Sequence, residues 1–183
     1  ITDKKKYMEL LLQKRVDAMI LIGSIFKEQN DNSHIEEAAR RVPLVIINSY
    51  LDLPNTYCVY CDEENAAYEA VSLMIKDGRK RIGYVCGPQT PNALLKEAGF
   101  RRALADNNLP AIPELIVHGR PTLEDAYAYV NQLVIDKVKF DAFFMAEDII
   151  AVGAIKALRH HKIKIPDDVC LIGFNNSIYS QCC

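Results

Sequence analysis

The stretch that decides the fold is residues 140–174, FDAFFMAEDIIAVGAIKALRHHKIKIPDDVCLIGF. It opens and closes with short apolar runs, FDAFFM and VCLIGF, whose β-branched and aromatic residues are typical of strands. The segment between them is too long for a hairpin loop and has a helical pattern, so the stretch predicts parallel strands joined by a helix. Parallel sheets bind ligands beyond the carboxyl ends of their strands. Polar groups follow both runs here, at Glu147-Asp148 and Asn175-Asn176, which indicates a binding module.

The same alternation extends over the rest of the chain. Helices are predicted from 4 to 15, 35 to 41 and 65 to 77, in a segment opening at 87–92 and reaching 107, from 122 to 136, and from 148 to 161. Strands are predicted at 18–22, 43–47, 57–61, 81–86, 115–117, 140–145 and 169–174. A change of sheet near 78–80 would make two Rossmann-like lobes, residues 1–78 and 79–183. The fold class is therefore α/β with two parallel sheets.

Composition excludes several classes of function. The chain has 183 residues, of which 50% are hydrophobic and 25% charged, as in ordinary globular proteins. Its formal net charge is −2 and it has no basic block, so no nucleic-acid-binding face is expected from this part of the protein. No apolar run approaches the roughly 18 residues that a membrane-spanning helix needs, so no membrane partner is expected.

Six cysteines raise the question of a disulfide framework or a metal site. The chain is too large and regular to need disulfides, and cysteines within strand-like runs behave as small hydrophobic residues. Cys58 and Cys61 form a CxxC pattern, but in a strand these two positions point to opposite faces, and no second ligand pair has suitable spacing. Reduced cysteines in a cytoplasmic protein are the favoured interpretation. We expect no metal ion and no cofactor.

Six segments together resemble one family. They are VDAMILIGS (16–24), RRVPLVIINSYLD (40–52), VYCDEENAAYEAVSLMIKDGRKRIGYVCGP (59–88), KEAGFRRAL (96–104), FDAFFMAEDIIAVGAIKAL (140–158) and IPDDVCLIGFNN (165–176). In this order and register they are similar to the effector-binding core of lac/gal-repressor-type (LacI/GalR) transcription regulators. The resemblance covers almost the whole chain.

The resemblance implies a two-lobed fold like that of periplasmic binding proteins (periplasmic binding protein-like I), with an effector, a sugar or sugar derivative, held in the cleft between the lobes. It also implies that the chain is truncated at both ends. The helix-turn-helix that reads operator DNA, the first βαβ of the amino-terminal lobe and the return crossing after GFNN would be missing. Residues 1–78 would be the remainder of the amino-terminal lobe, and residues 79–183 the carboxyl-terminal lobe. The full-length protein would be a cytoplasmic homodimer.

The resemblance also implies ligand-binding residues, which are Lys96, Asn175, Asn92, Glu147, Asn48, Asn65 and Ser24. Lys96 replaces the family's ligand-contacting Arg of R-x-x-G-F, and loses the planar fork of a guanidinium. Asn175 replaces the first Asp of G-[FY]-D-D, and Glu147 replaces the Asn of A-N-D-x-x-A-x-G. Asp148 is expected to be structural. These changes keep the site polar but alter its donors and acceptors, so a phosphorylated effector or a protein partner remains open.

Two alternatives to a regulator are considered. One is a transport-type periplasmic sugar-binding protein of the same fold. The other is a small α/β enzyme, but the sequence contains no GxSxG, GxGxxG, GxxxxGK[ST] or HExxH motif, and no catalytic residue is assigned. A site without a paired acid and base would argue against the enzyme.

Overall fold

The computed structural model describes residues 4–28 and 31–181. The chain divides into two compact units, the first made of Ile1–Asp62 and Thr90–Asn92, the second of Glu63–Gln89 and Ala93–Cys183. The helices are α1 (Lys4–Gln13), α2 (Ser33–Ala39), α3 (Glu63–Lys76), α4 (Pro91–Asp106), α5 (Leu123–Ile135) and α6 (Asp148–His160). The strands are β1 (Met19–Ile22), β2 (Leu44–Ile47), β3 (Thr56–Val59), β4 (Ile82–Cys86), β5 (Ile116–His118), β6 (Ala142–Met145) and β7 (Cys170–Ile172).

Every strand and helix predicted from the sequence is present within the described ranges, with ends displaced by a few residues. Two of these differences concern the carboxyl ends of strands. The strand expected at 57–61 ends at Val59, and the strand expected at 169–174 ends at Ile172. Beyond β7 the backbone cannot continue as a strand, because Asn175 and Asn176 adopt φ angles of +92° and +49°, which no extended strand accommodates.

The first unit is a three-stranded parallel sheet in the order β1-β2-β3. Alternate side chains of the strands are buried against α1 and α2, where Met8 and Ile35 pack on Met19, Leu21 and Leu44. The intervening positions of β1 and β3 are exposed. This alternation follows from the pleat of a strand, which sends successive side chains to opposite faces.

The second unit is a four-stranded parallel sheet in the order β5-β4-β6-β7, covered on both faces. On one face α3 and α4 pack against alternate strand residues, with Val71 and Phe100 against Tyr84 and Phe144. On the other face α5 and α6 form a second core around Phe143. All residues of β4 and β6 are buried, which explains why these strands are continuous apolar runs in the sequence.

The division between units differs from the boundary placed at Gly78 from the sequence. Helix α3, assigned there to the first lobe, packs in the core of the second unit through Ala67, Val71 and Met74, which lie beside Ile82. The helix is amphipathic, and periodicity identifies its buried face but not the sheet which that face covers.

The side chain of Arg79 fastens the amino end of the second sheet. Its guanidinium donates to the carbonyl oxygens of Pro166 at 2.8 Å, Asp167 at 3.2 Å and Asp168 at 3.4 Å. A further bond, at 3.5 Å, reaches the carbonyl oxygen of Asp141 just before β6. One half-buried cation therefore fixes the loop that precedes β7, where no regular secondary structure holds the backbone.

Replacing Arg79 with Met is expected to lower the free energy of unfolding by about 2 kcal/mol, because several charge-assisted hydrogen bonds are lost at once. Urea denaturation followed by circular dichroism measures the change. The matched control is Arg120→Met in the same unit, since the Arg120 side chain is 80% exposed in its pair with Asp125. This control should leave the denaturation midpoint unchanged, and an equal effect of both substitutions would refute the role given to Arg79.

Candidate functional site

The order of the strands in the second sheet predicts where a ligand would bind. The chain runs from β4 outward to β5 and then returns to β6 on the other side of β4. The direction of winding therefore reverses between β4 and β6, and a crevice opens beyond the carboxyl ends of such a strand pair. Cys86 ends β4, and Ala146 and Glu147 follow β6 at this edge.

Lys96 reaches this edge from α4 and is buried there. Its ammonium donates to the carbonyl oxygen of Ala146 at 3.1 Å and lies 4.0 Å from the centre of the Phe174 ring. It also forms an ion pair with the Glu63 carboxylate at 3.3 Å. The side chains of Lys96 and Glu63 are only 8% and 6% exposed, so both charges lie in a low-dielectric environment.

Glu63 was not among the residues predicted from the sequence. It begins α3, where an acidic residue in the first turn is explained by the helix dipole alone. A buried lysine requires a countercharge, but the sequence alone does not show that Lys96 is buried. The pairing depends on α3 and α4 packing on the same face of one sheet.

Glu147 and Asn175 lie at the same edge with their polar groups available. Glu147 precedes α6 with its side chain half-buried, and does not cap the helix. Asn175 is exposed in the loop after β7, at a φ of +92° that asparagine tolerates better than most residues. Within residues 4–28 and 31–181, neither side chain hydrogen-bonds to another protein group.

Asp148 stabilises the loop that carries Asn175. It is buried, and its carboxylate accepts a hydrogen bond from the Ser177 backbone N–H at 2.5 Å. A side chain at Gly173 would meet the same carboxylate, which explains glycine at that position. The prediction that Asp148 is structural is confirmed, since it holds the loop that carries Asn175.

Three other predicted residues belong to the first unit. Asn48 follows β2 at a φ of +66°, and its side-chain oxygen accepts from the Asn92 amide at 3.0 Å. Ser24 is buried in a short turn after β1, where its carbonyl oxygen accepts from the Lys27 N–H at 3.2 Å. The structure thus brings Asn48 and Asn92 together at the carboxyl end of the first sheet.

Asn65 is not brought together with the other predicted residues of its unit. It is exposed on α3, where its amide donates to Glu69 at 3.0 Å and its oxygen accepts from Arg102 at 3.2 Å. Because it lies two residues after Glu63, it points about 200° around the helix axis from that buried side chain. These contacts stabilise the outer surface of α3 and α4.

Glu97 forms a second polar cluster near the site. Its carboxylate pairs with His118, at the end of β5, at 2.6 Å and with Arg101 at 2.7 Å. Burial raises the pKa of Glu97, but the hydrogen bonds from His118 and Arg101 outweigh it and hold the pKa below the ordinary value of 4.5. Burial likewise raises the pKa of the Cys86 thiol to about 11, so this cysteine is a neutral packing residue at neutral pH.

The CxxC pattern is not a paired site in this structure. Because β3 ends at Val59, Cys61 lies outside the strand and is exposed, whereas Cys58 is half-buried and contacts the backbone of Leu51. Across the described ranges no cluster of His, Cys, Asp and Glu has the geometry of a metal site. In the same ranges every helix is too short or too polar to cross a bilayer.

Comparison with known proteins identifies the family of this chain. A model of the periplasmic binding protein-like domain matches residues 71–183, which is more than half of the chain. The chain belongs to this family. A helix-turn-helix transcriptional regulator from Lachnoclostridium phytofermentans is 43% identical over 182 residues, covering 98% of this chain and 55% of that protein. The transcriptional repressor CytR of Escherichia coli is 30% identical over 184 residues, covering 98% and 52%.

Among solved structures, a sugar-binding transcriptional regulator of the LacI family from Escherichia coli superposes with a TM-score of 0.85 at 25% identity. The match covers 98% of this chain and 64% of that one. The resemblance to lac/gal-repressor-type regulators and the periplasmic binding protein-like fold with two parallel sheets are thereby confirmed. This periplasmic binding protein-like domain spans about half the length of the curated relatives that it matches.

The Glu97 cluster generates a prediction about pH. Folding lowers the pKa of the Glu97 carboxylate, so this group stabilises the folded protein at pH values above 4.5, its pKa in the unfolded chain. The stabilisation is lost as the pH falls through the lower pKa of the folded state. Glu97→Gln removes the titrating group, so its denaturation midpoint should fall less on acidification from about pH 7 to about pH 3 than that of the wild type. Urea denaturation at several pH values measures this.

The control for this experiment is Glu114→Gln, an exposed glutamate in the same unit, which should retain the acid sensitivity of the wild type. Parallel curves for the wild type and Glu97→Gln would show that the cluster contributes no pH-dependent stability.

Proposed function

We propose that this domain is the effector-sensing part of a LacI-type transcription regulator, and that it binds a small molecule at the carboxyl edge of its second sheet. The observation that carries the proposal is the pair of available polar side chains, Glu147 and Asn175, at the point where the sheet reverses its winding. The relatives that match the chain are transcriptional regulators, which supports this role over that of an enzyme or a transport protein.

The proposed ligand class is a sugar or a sugar derivative. A carboxylate accepts hydrogen bonds from hydroxyl groups, and an asparagine amide both donates and accepts, so Glu147 and Asn175 suit a hydroxyl-rich molecule. The structural neighbour from Escherichia coli is a sugar-binding regulator whose structure was solved in complex with phosphate, and its sugar-binding function favours the sugar class here.

The proposed mechanism of regulation acts through a conformational equilibrium. An effector shifts that equilibrium only by binding one state more tightly than the other. In the full-length, dimeric protein of the cytoplasm, two helix-turn-helix segments would have to match two half-sites at a fixed spacing. A change in the effector-binding domain that alters this spacing would alter operator affinity. Binding of DNA by the full-length protein, with and without effector, tests this step.

The enzyme alternative is weakened by the comparisons rather than by the geometry. Glu97 and His118 form an acid–base pair near the site. Arg101 also engages the Glu97 carboxylate, which is the arrangement of a structural anchor. We infer that the domain is not catalytic and needs no cofactor.

Asn175→Ala is expected to weaken effector binding about tenfold, because one hydrogen-bonding group of the ligand loses its partner. A thermal-shift screen of sugars and sugar phosphates identifies a stabilising compound, since a ligand that binds only the folded state raises the apparent stability. Calorimetry then compares the wild type with the variant.

The matched control is Asn65→Ala, which removes the same side chain from the outer surface of α3 and should bind like the wild type. Equal affinities in the wild type and Asn175→Ala would remove Asn175 from the site.

A further inference from the structure

The Lys96 ammonium is surrounded by protein groups. It forms an ion pair with the Glu63 carboxylate, donates a hydrogen bond to the Ala146 carbonyl oxygen and lies over the Phe174 ring. The sequence marks this residue as the cation of the ligand site. In the structure its charge is neutralised internally before any ligand arrives.

We propose that Glu63 determines the specificity of the effector site: by neutralising Lys96, it restricts the site to ligands that carry no phosphate or carboxylate group. The inference rests on the proposed function, which places the effector at this edge, and it narrows the class of effector that the sequence left open.

The buried position of the pair is the first support for this inference. Removing an ion pair from water costs several kcal/mol per ion, and the pair persists only where each charge is compensated. An incoming anion could use Lys96 only by separating it from Glu63, which would leave a buried carboxylate without its cation. Lys96 therefore stays paired with Glu63 rather than with an anionic ligand.

The carboxylates at the edge are the second support. Glu147 is a half-buried acidic residue at the start of α6, and its side chain does not cap that helix. Asp148 already occupies the first turn of α6, where the helix dipole would otherwise attract an anion. A phosphate at this edge would thus meet carboxylates, whereas the hydroxyl groups of a neutral ligand would find acceptors.

The pair also positions the two proposed contacts. The carbonyl oxygen that Lys96 binds belongs to Ala146, the residue before Glu147, and the ring beneath its ammonium belongs to Phe174, the residue before Asn175. Lys96 therefore acts on the ligand through these segments, as a positioning residue.

The decisive variant is Glu63→Gln, which keeps the shape of the side chain and removes its charge. The probes are inorganic phosphate and two matched pairs, glucose with glucose 6-phosphate and ribose with ribose 5-phosphate, titrated by calorimetry. The wild type should not bind phosphate measurably. Where it binds a neutral sugar, its affinity for that sugar should be at least ten times its affinity for the phosphate ester. In Glu63→Gln, phosphate binding should appear, and the ratio of the two affinities should shift at least tenfold toward the ester.

Two further variants separate the causes. Glu69→Gln removes one charge from an exposed position of the same helix and should behave like the wild type. Glu63→Gln/Lys96→Met should lose the gain in phosphate binding, because the released cation is gone. Absence of that gain in a folded Glu63→Gln, or its persistence in the double variant, would overturn the proposal.

The wild type provides a test that needs no variant. Tight binding of either phosphate ester or of inorganic phosphate by the wild type would overturn the proposal even if Glu63→Gln failed to fold. A gain of phosphate binding in Glu63→Gln, with no neutral sugar bound by any form, would instead support the role of Glu63 and contradict the sugar class of the proposed function.

Discussion

The ion pair between Lys96 and Glu63 is the constraint on which the candidate site depends. It joins α3, α4 and the segments after β6 and β7 at one buried point. A buried pair of this kind is weak evidence for stability, since well-packed apolar residues often serve as well. The pair instead fixes the positions of the neighbouring backbone segments, and these segments carry the polar groups available to a ligand.

The surrounding fold provides the depth that such a pair requires. Parallel strands covered by helices on both faces exclude water from the middle of the sheet, while their carboxyl ends remain open. The second unit has this arrangement, with the wholly buried strands β4 and β6 at its centre. A charged side chain at the ends of these strands is only partly hydrated, so it requires a neighbouring group of opposite charge.

The sequence was sufficient to predict the helices, the strands and their parallel character, because apolar runs and helical periodicity record local geometry directly. It did not reveal the order of the strands, which depends on how four separate runs pair. The placement of α3 was also beyond it, since Val71 and Met74 record that one helix face is buried and not which sheet covers that face. For the site, Asp148 was correctly expected to be structural. Lys96 was recognised as a polar position of the site, but its burial against Glu63 depends on two helices meeting in space.

The placement of α3 has a consequence for how such proteins can be recombined. A chimera joined at Gly78 would give the new carboxyl-terminal half a foreign helix, whose apolar side was selected to fit a different sheet. It would also exchange the glutamate that Lys96 requires for whatever residue the other parent carries. A breakpoint just before Glu63 would transfer the helix, its sheet and the countercharge as one inherited block.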